Sequence, residues 1–257
     1  MAAHPDDIEF MMAGTLLLLK QAGAEVHVCN LANGCYGSQT HSKDETARIR
    51  AAEAQAAAAV AGAVWHPPLF DDLGIFYDAP SLAKVTAVVR AIKPDILLTL
   101  SRRDYMEDHE YAARLACSAA FNRCVTHYVS DPPVPAYNKP VAVYHVIPVM
   151  MMDMNRDPVV PDFVIGIGSV MAAKVEMLAR HASQKAWLDA TQGMNSYLES
   201  MAEAGHLTGM RYGGYTYAEG WRRHNHQGYC GADFCPLETV LAKNLKPVKR
   251  EETLRGE

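Results

Sequence analysis

At 257 residues the chain is long enough for one large α/β domain, and a hydrophobic share of 49% with a charged share of 21% is the balance of an ordinary globular protein. A formal net charge of −5 argues against a nucleic-acid binder, which shows a basic face. No apolar run reaches the roughly 18 residues of a bilayer span, and the chain opens without the basic start of a secretory signal, so a cytoplasmic protein with no membrane span is expected.

The predicted elements alternate through the first half. A helical pattern runs from Ile8 to Ala22 and closes at Gly23. Residues 25–32 read as a strand, broken by Asn33-Gly34. A polar stretch leads to Ser42 and Glu45, whose S-x-x-E spacing opens an Ala-rich helix to about Ala61. Residues 67–80 read as a loop with short extended pieces. Helix Ser81–Ile92, stopped by Lys93-Pro94, then precedes an apolar strand at 95–100 and a helix over 107–121. Further strands are expected at 141–146 and 162–166. A long helical region over 169–205 follows, split near Gln192-Gly193. Short apolar strands separated by helices predict a Rossmann-like, three-layer α/β sandwich with a mainly parallel central sheet. The whole chain, 1–257, is read as one domain, with 205–257 a C-terminal extension packed on or near the active-site rim.

Six cysteines, Cys29, Cys35, Cys117, Cys124, Cys230 and Cys235, are too few in a chain this long for a disulfide framework. Buried hydrophobes are the default reading, with Cys117 and Cys124 on one helix face. His224, His226, Cys230 and Cys235 are ligand-type residues, but their spacing fits no standard zinc finger. Their aromatic and basic neighbours, Tyr212, Tyr215, Trp221, Arg222 and Arg223, suggest a rim loop facing substrate. No G-x-G-x-x-G follows the first strand position, which argues against a dinucleotide-binding fold.

The chemistry concentrates at His4-Pro5-Asp6-Asp7. A catalytic metal site needs three nitrogen, sulfur or carboxylate ligands and one open position. His4 and Asp7 supply two ligands from one tight turn stiffened by Pro5, and Asp6 is left free to act as a base. The third ligand is expected from the loop after the strand at 95–100, where Asp108-His109 stands: His109 as ligand, Asp108 as a carboxylate orienting it or a neighbour. On spacing alone a polar turn capping a helix explains the same residues. Asn33, Arg50 and Asp72 are candidates for holding substrate, with an i,i+3 pair to Glu53 as the alternative for Arg50.

Ala3-His4-Pro5-Asp6-Asp7 resembles the opening signature of the LmbE/PIG-L family of zinc-dependent N-acetyl-sugar deacetylases. Asn33-Gly34, Arg50-x-x-Glu53, the segment Asp104 to His109, His181-x-Ser183-Gln184 and Tyr217-Ala218-Glu219 resemble its later motifs in the same order, and together they cover nearly the whole chain. The resemblance implies zinc ligands His4, Asp7 and His109 and a general base Asp6. The implied activity is removal of an N-acyl, first of all N-acetyl, group from an amino-sugar-like small molecule.

Two departures stand out. Many members carry a histidine three residues before the third ligand; here that position is Met106, which can neither donate a proton nor stabilise an oxyanion. Tyr105, on the same loop, and His145, at the end of the strand at 141–146, are the candidates to supply the proton, with a structural imidazole as the competing reading of His145. The family's first strand also precedes the His-Pro-Asp-Asp turn, whereas only Met1-Ala2-Ala3 stand before it here, which points to a natural start upstream. Rival readings are an amidase acting on another acyl-amine conjugate, and a metal-containing sugar-binding protein with little catalysis. His and carboxylate ligands suit Zn2+ and Fe2+ alike, and the sequence leaves open whether the chain forms a homo-oligomer.

Overall fold

In the computed structural model, residues 1–192 and 197–249 are described. The predicted first helix is two: α1 (Asp7–Met11) and α2 (Ala13–Gln21), broken where Met12 leaves helical geometry at φ −136°. Residues 13–19 of α2 are all buried, as expected of a helix apolar all round. α3 (Lys43–Val60) begins with the predicted capping box: Ser42 Oγ accepts from Glu45 N–H, and Glu45 Oε2 accepts from Ser42 N–H. Its buried stripe, Thr46, Arg50, Ala54, Ala57 and Ala58, follows the helical period. α4 (Ala79–Ile92) starts at Asp78, whose side chain caps Ser81 N–H, and ends at Lys93 in left-handed conformation. α5 (Glu107–Asn122) packs along α4. Cys124 lies beyond the end of α5, so it does not share a helix face with Cys117.

Two sheets form. The parallel pair β1 (His27–Cys29) and β2 (Val64–His66) makes the smaller. The larger has the order β3 (Ile96–Thr99), β4 (Ala142–Val146), β6 (Ala218–Arg223), β5 (Phe163–Gly166), β7 (Leu245–Pro247). Residues 1–3 lie between the sheets. Ala2 N–H donates to Cys29 O, Leu31 and Ala32 N–H donate to Ala2 and Ala3 O, and Met1 N donates to Leu98 O.

The expectation of a mainly parallel sheet is corrected here. In the larger sheet, among the described residues, only β3 and β4 pair in parallel; β6 is antiparallel to β4 and β5, and β7 is antiparallel to β5. β4 and β5 keep a common direction, but β6 returns between them after the helices α6 (Met171–Ala179), α7 (Ala182–Gln192) and α8 (Tyr197–Tyr212). The expected helix split at Gly193 lies outside the described residues.

Part of the predicted rim loop, Trp221 to Arg223, lies in β6. Trp221 is fully buried and its Nε1 donates to Thr15 Oγ1 at 3.0 Å. Glu219 accepts from Gly14 N–H, Thr15 N–H and Lys174 Nζ, which ties β6 to α2 and α6. Gly14 is required at this crossing, because a Cβ there would lie 2.6 Å from Ile167. The short helix α9 (Pro236–Val240) precedes β7. Among the described residues, no helix is long and apolar enough to cross a membrane.

Candidate metal centre

The His-Pro-Asp-Asp turn joins the strand-like residues 1–3 to α1. Asn30 Nδ2 holds the His4 carbonyl, and Asp7 Oδ2 accepts from His4 N–H at 2.7 Å. Asp6 caps α1 with φ 107°, a left-handed conformation that a non-glycine residue adopts at a cost of about 1–3 kcal/mol. The twist directs Asp6 and Asp7 differently, as the sequence reading expected.

His109 arrives from the first turn of α5. One ligand atom each from His4, Asp7 and His109 lies within 4.8 Å of the others. Asp7 Oδ1 is 3.3 Å from His109 Nε2, and Asp7 Oδ2 is 3.5 Å from His4 Nδ1. Donors bonded at 2.0–2.1 Å to a tetrahedral ion stand about 3.3 Å apart, so these separations fit a shared cation.

The surrounding charge fits one as well. Asp104 Oδ1 accepts from His109 Nδ1 at 3.0 Å, which turns Nε2 toward Asp7. Asp108 Oδ2 meets His4 Nε2 at 2.9 Å, and Asp72 Oδ1, buried and without a hydrogen-bond partner, lies 3.6 Å from the same nitrogen. Burial works against protonation of both imidazoles. Even so, Asp108 and Asp7 push His4 up to about 9, and Asp7 with Asp104 holds His109 well above the usual imidazole range. Burial would raise Asp7, but His109 and His4 keep it well below the ordinary carboxylate range. A buried nest of carboxylates that forces two histidines to carry protons is an environment a divalent cation neutralises.

Asp6 is set apart from this cluster. Burial, aided by the charge of Asp7, pushes its carboxyl up to about 6, while Arg50, His181 and the Tyr197 hydroxyl pull it back. Tyr197 Oη donates to Asp6 Oδ2, and Arg50 Nη2 donates to the Pro5 carbonyl at 2.6 Å while standing 3.9 Å from Asp6 Oδ1. Gly34, at φ +68°, gives Arg50 its path, since a Cβ there would lie 2.7 Å from the Arg50 side chain. The Arg50–Glu53 pair, the alternative reading of Arg50, does not form; Glu53 instead receives Ser183 Oγ and N–H.

These residues open onto a cleft of about 490 Å³, whose other walls include Phe10, Met106, Val149, Trp187 and Leu188. Residues 1–120 match the profile of the PIG-L family, described as GlcNAc-PI de-N-acetylase.

The matched segment holds His4, Asp6, Asp7 and His109.

Solved structures resemble the chain over most of its length. The 4-carboxy-2-hydroxymuconate hydratase of Pseudomonas putida is 23% identical with a TM-score of 0.68, covering 87% of this chain and 94% of its own. The N,N'-diacetylchitobiose deacetylase of Pyrococcus horikoshii is 22% identical with a TM-score of 0.72, covering 91% and 85%. A teicoplanin deacetylase, in a zinc-inhibited form, is 16% identical with a TM-score of 0.62, covering 87% and 98%. Likeness at these identities speaks for the fold.

The predicted site residues divide. His4, Asp6, Asp7, Arg50, Asp72, Tyr105 and His109 all line the cleft, with the Tyr105 ring edge-on to His109 at 5.3 Å. Asn33 does not line it. Its amide donates to Asp71 and its oxygen accepts from Cys35 N–H, so both polar ends build the loop.

His145 is corrected outright. Its Nδ1 donates to Leu100 O at 2.7 Å, and its Nε2 faces Cys117 and His224 away from the cleft. Burial lowers it to about 4, so it is a neutral imidazole with its proton already committed to Leu100. The reason is the period of a strand: His145 shares a face with Val143, which packs under α5, while Tyr144 and Val146 face the main core.

Sequence reasoning missed Tyr197 and the orienting role of Asp104. Asp104 stood inside the quoted motif, whereas Tyr197 follows the splitting helix with no motif of its own. Gln184, from the family-like motif at 181–184, lines the cleft with its Oε1 unpartnered. His181 is fully buried 3.4 Å from Glu9, and Glu219 is structural.

Proposed function

We propose that the protein is a metal-dependent hydrolase that removes an N-acyl group, first of all acetyl, from an amino-sugar-like small molecule. The observation that carries this is the convergence of His4, Asp7 and His109 with Asp6 beside them, in a cleft within the 300–1,000 Å³ range of small-molecule sites.

A Zn2+ held by those three residues, or Fe2+ in the same donor set, would supply Lewis acidity. The chain's own groups do the rest. Asp6, hydrogen-bonded by Tyr197 and neutralised from behind by Arg50, accepts a proton from water in the site and returns it to the departing amine. Tyr105 stands at the mouth as an additional hydroxyl donor. Arg50, Asp72 and Gln184 offer polar contacts to a substrate, and Phe10, Trp187 and Leu188 offer it an apolar wall. The absence of paired cysteines supports a reducing, cytoplasmic setting. The mild negative charge supports a small-molecule partner over nucleic acid.

The test is acetate release from N-acetylglucosamine and its conjugates, before and after chelation and on re-adding Zn2+. Activity that survives chelation overturns the reading. One observation favours a second reaction: Met106 lines the cleft where a proton donor for a leaving amine is expected. Hydration of an unsaturated carboxylic acid expels no amine. Loss of ultraviolet absorbance from such substrates, without acetate release from any N-acetyl sugar, would select it.

A further inference from the structure

Cys117, His145 and His224 form a second group of ligand-type side chains, assembled from α5, β4 and the residue following β6. One atom of each lies within 4.8 Å of the others. Cys117 Sγ is 3.7 Å from His145 Nε2 and 3.8 Å from His224 Nδ1, and the two nitrogens are 2.9 Å apart. A tetrahedral ion with bonds of about 2.3 Å to sulfur and 2.0–2.1 Å to nitrogen sets S···N near 3.6 Å and N···N near 3.3 Å. The triangle in the protein matches the first and needs only a small opening for the second.

The orientation of the groups adds to the distances. The Nδ1–H of His145 is committed to Leu100 O, which leaves Nε2 as a bare lone pair directed at the other two groups. Cys117 and His145 are buried and His224 is half-buried, so the group has a dry floor and one side reachable by an ion. The edge of the Tyr229 ring covers His224 at 4.9 Å. Burial pushes the Cys117 thiol up and so opposes the thiolate, which a bound ion would have to draw out; Arg102, the cation near all three groups, works the other way, and its exposure screens its repulsion of a bound ion.

We propose that Cys117, His145 and His224 bind a second divalent metal ion, of the zinc class, separate from the ion in the cleft. Eight residues separate His109 from Cys117 on α5, about 12 Å along the helix axis, too far for a two-metal catalytic pair, whose ions lie about 3.5–4 Å apart. A thiolate with two imidazoles suits a borderline-soft ion, whereas the cleft offers nitrogen and oxygen. On binding, Cys117 releases its thiol proton to solvent and His224 keeps its proton on Nε2, freeing Nδ1. The ion would pin the middle of α5 to β4 and to the segment after β6, and through α5 would steady the turn that carries His109. It is a structural site, and it does not depend on which reaction the cleft performs.

The experiment uses the full chain stripped of metal and titrated with Co2+ alone. Two equivalents are expected, one of them bringing a near-ultraviolet thiolate-to-cobalt charge-transfer band that His4, Asp7 and His109 cannot produce. Cys117→Ser should lose that band and one equivalent; Asp7→Asn should lose the other equivalent and keep the band. His224→Gln, at a half-buried position, repeats the first result should Cys117→Ser prove unfolded by circular dichroism. A single equivalent without the band in the wild type, or a band that persists in Cys117→Ser or in His224→Gln, overturns the proposal. In the first case the group is a hydrogen-bonded chain from His224 Nδ1–H to His145 Nε2.

Discussion

Asp6 and Asp7 are adjacent yet behave as opposites, and the difference lies in what each faces. Asp7 looks at two imidazoles, which outweigh its burial, and stays ionised; for Asp6 burial prevails over the Arg50 guanidinium and the Tyr197 hydroxyl and holds it near the point of accepting a proton. Asp6→Asn is therefore expected to lower kcat by about 10²- to 10⁴-fold, the usual worth of a positioned base, with metal content by mass spectrometry unchanged; activity within a few-fold of wild type would place the base elsewhere. Asp104 acts one step further out, through His109 Nδ1. Asp104→Asn should weaken metal affinity by about 10–100-fold, read by competition with a chromogenic chelator, and an unchanged affinity would mean that His109 orients itself. Much of this was readable in advance, because His4, Asp6, Asp7 and His109 fall in two contiguous motifs, although the carboxylate that orients His109 was sought at Asp108 and stands at Asp104. Tyr197 was not, since a tyrosine reaching Asp6 across 191 residues leaves no spacing signal.

At the scale of elements, β6 shows where pattern reading stops. Its residues 218–223 include Glu219, Arg222 and Arg223, a composition that suggests a surface loop. The strand is central because Glu219 is neutralised by Lys174 and by two backbone amides of α2, which turns a charged residue into a buried lock. β1, β3, β4 and β5 were visible because their apolar runs carry no such disguise. Strand direction carried no signal at all, and the mixed sheet follows from where β6 enters. Glu219→Gln leaves the Lys174 ammonium buried without its partner, a loss of about 3–5 kcal/mol. For a chain of this size that is a fall in Tm of roughly 6–20 °C. Ser42→Ala, which removes the cap of α3, should cost about 1 kcal/mol by the same thermal measurement. Equal effects from the two variants would argue that Glu219 is not a buried lock.

For the molecule as a whole, a metal that binds the folded chain and not the unfolded one raises stability by mass action. At a free ion concentration one hundred times its Kd the gain is about 2.7 kcal/mol, and chelation should lower Tm by roughly 5–11 °C at this chain length. Calorimetry with and without chelator checks it, and an unchanged Tm would show that the ligand cluster is not loaded.

Residues 1–3 lead directly into the ligand His4, and they are stitched on one side to β1 and the residues following it and on the other to Leu98 of β3. The seam between the two sheets and the arm that presents the imidazole are thus the same few atoms. Deuterium uptake at the amides of Leu31 and Ala32, which donate to Ala2 and Ala3, becomes a clock for that arm: each exchange event requires it to lift away. Slower uptake with cation present would measure, amide by amide, how firmly the occupied cleft clasps the two halves of the protein together.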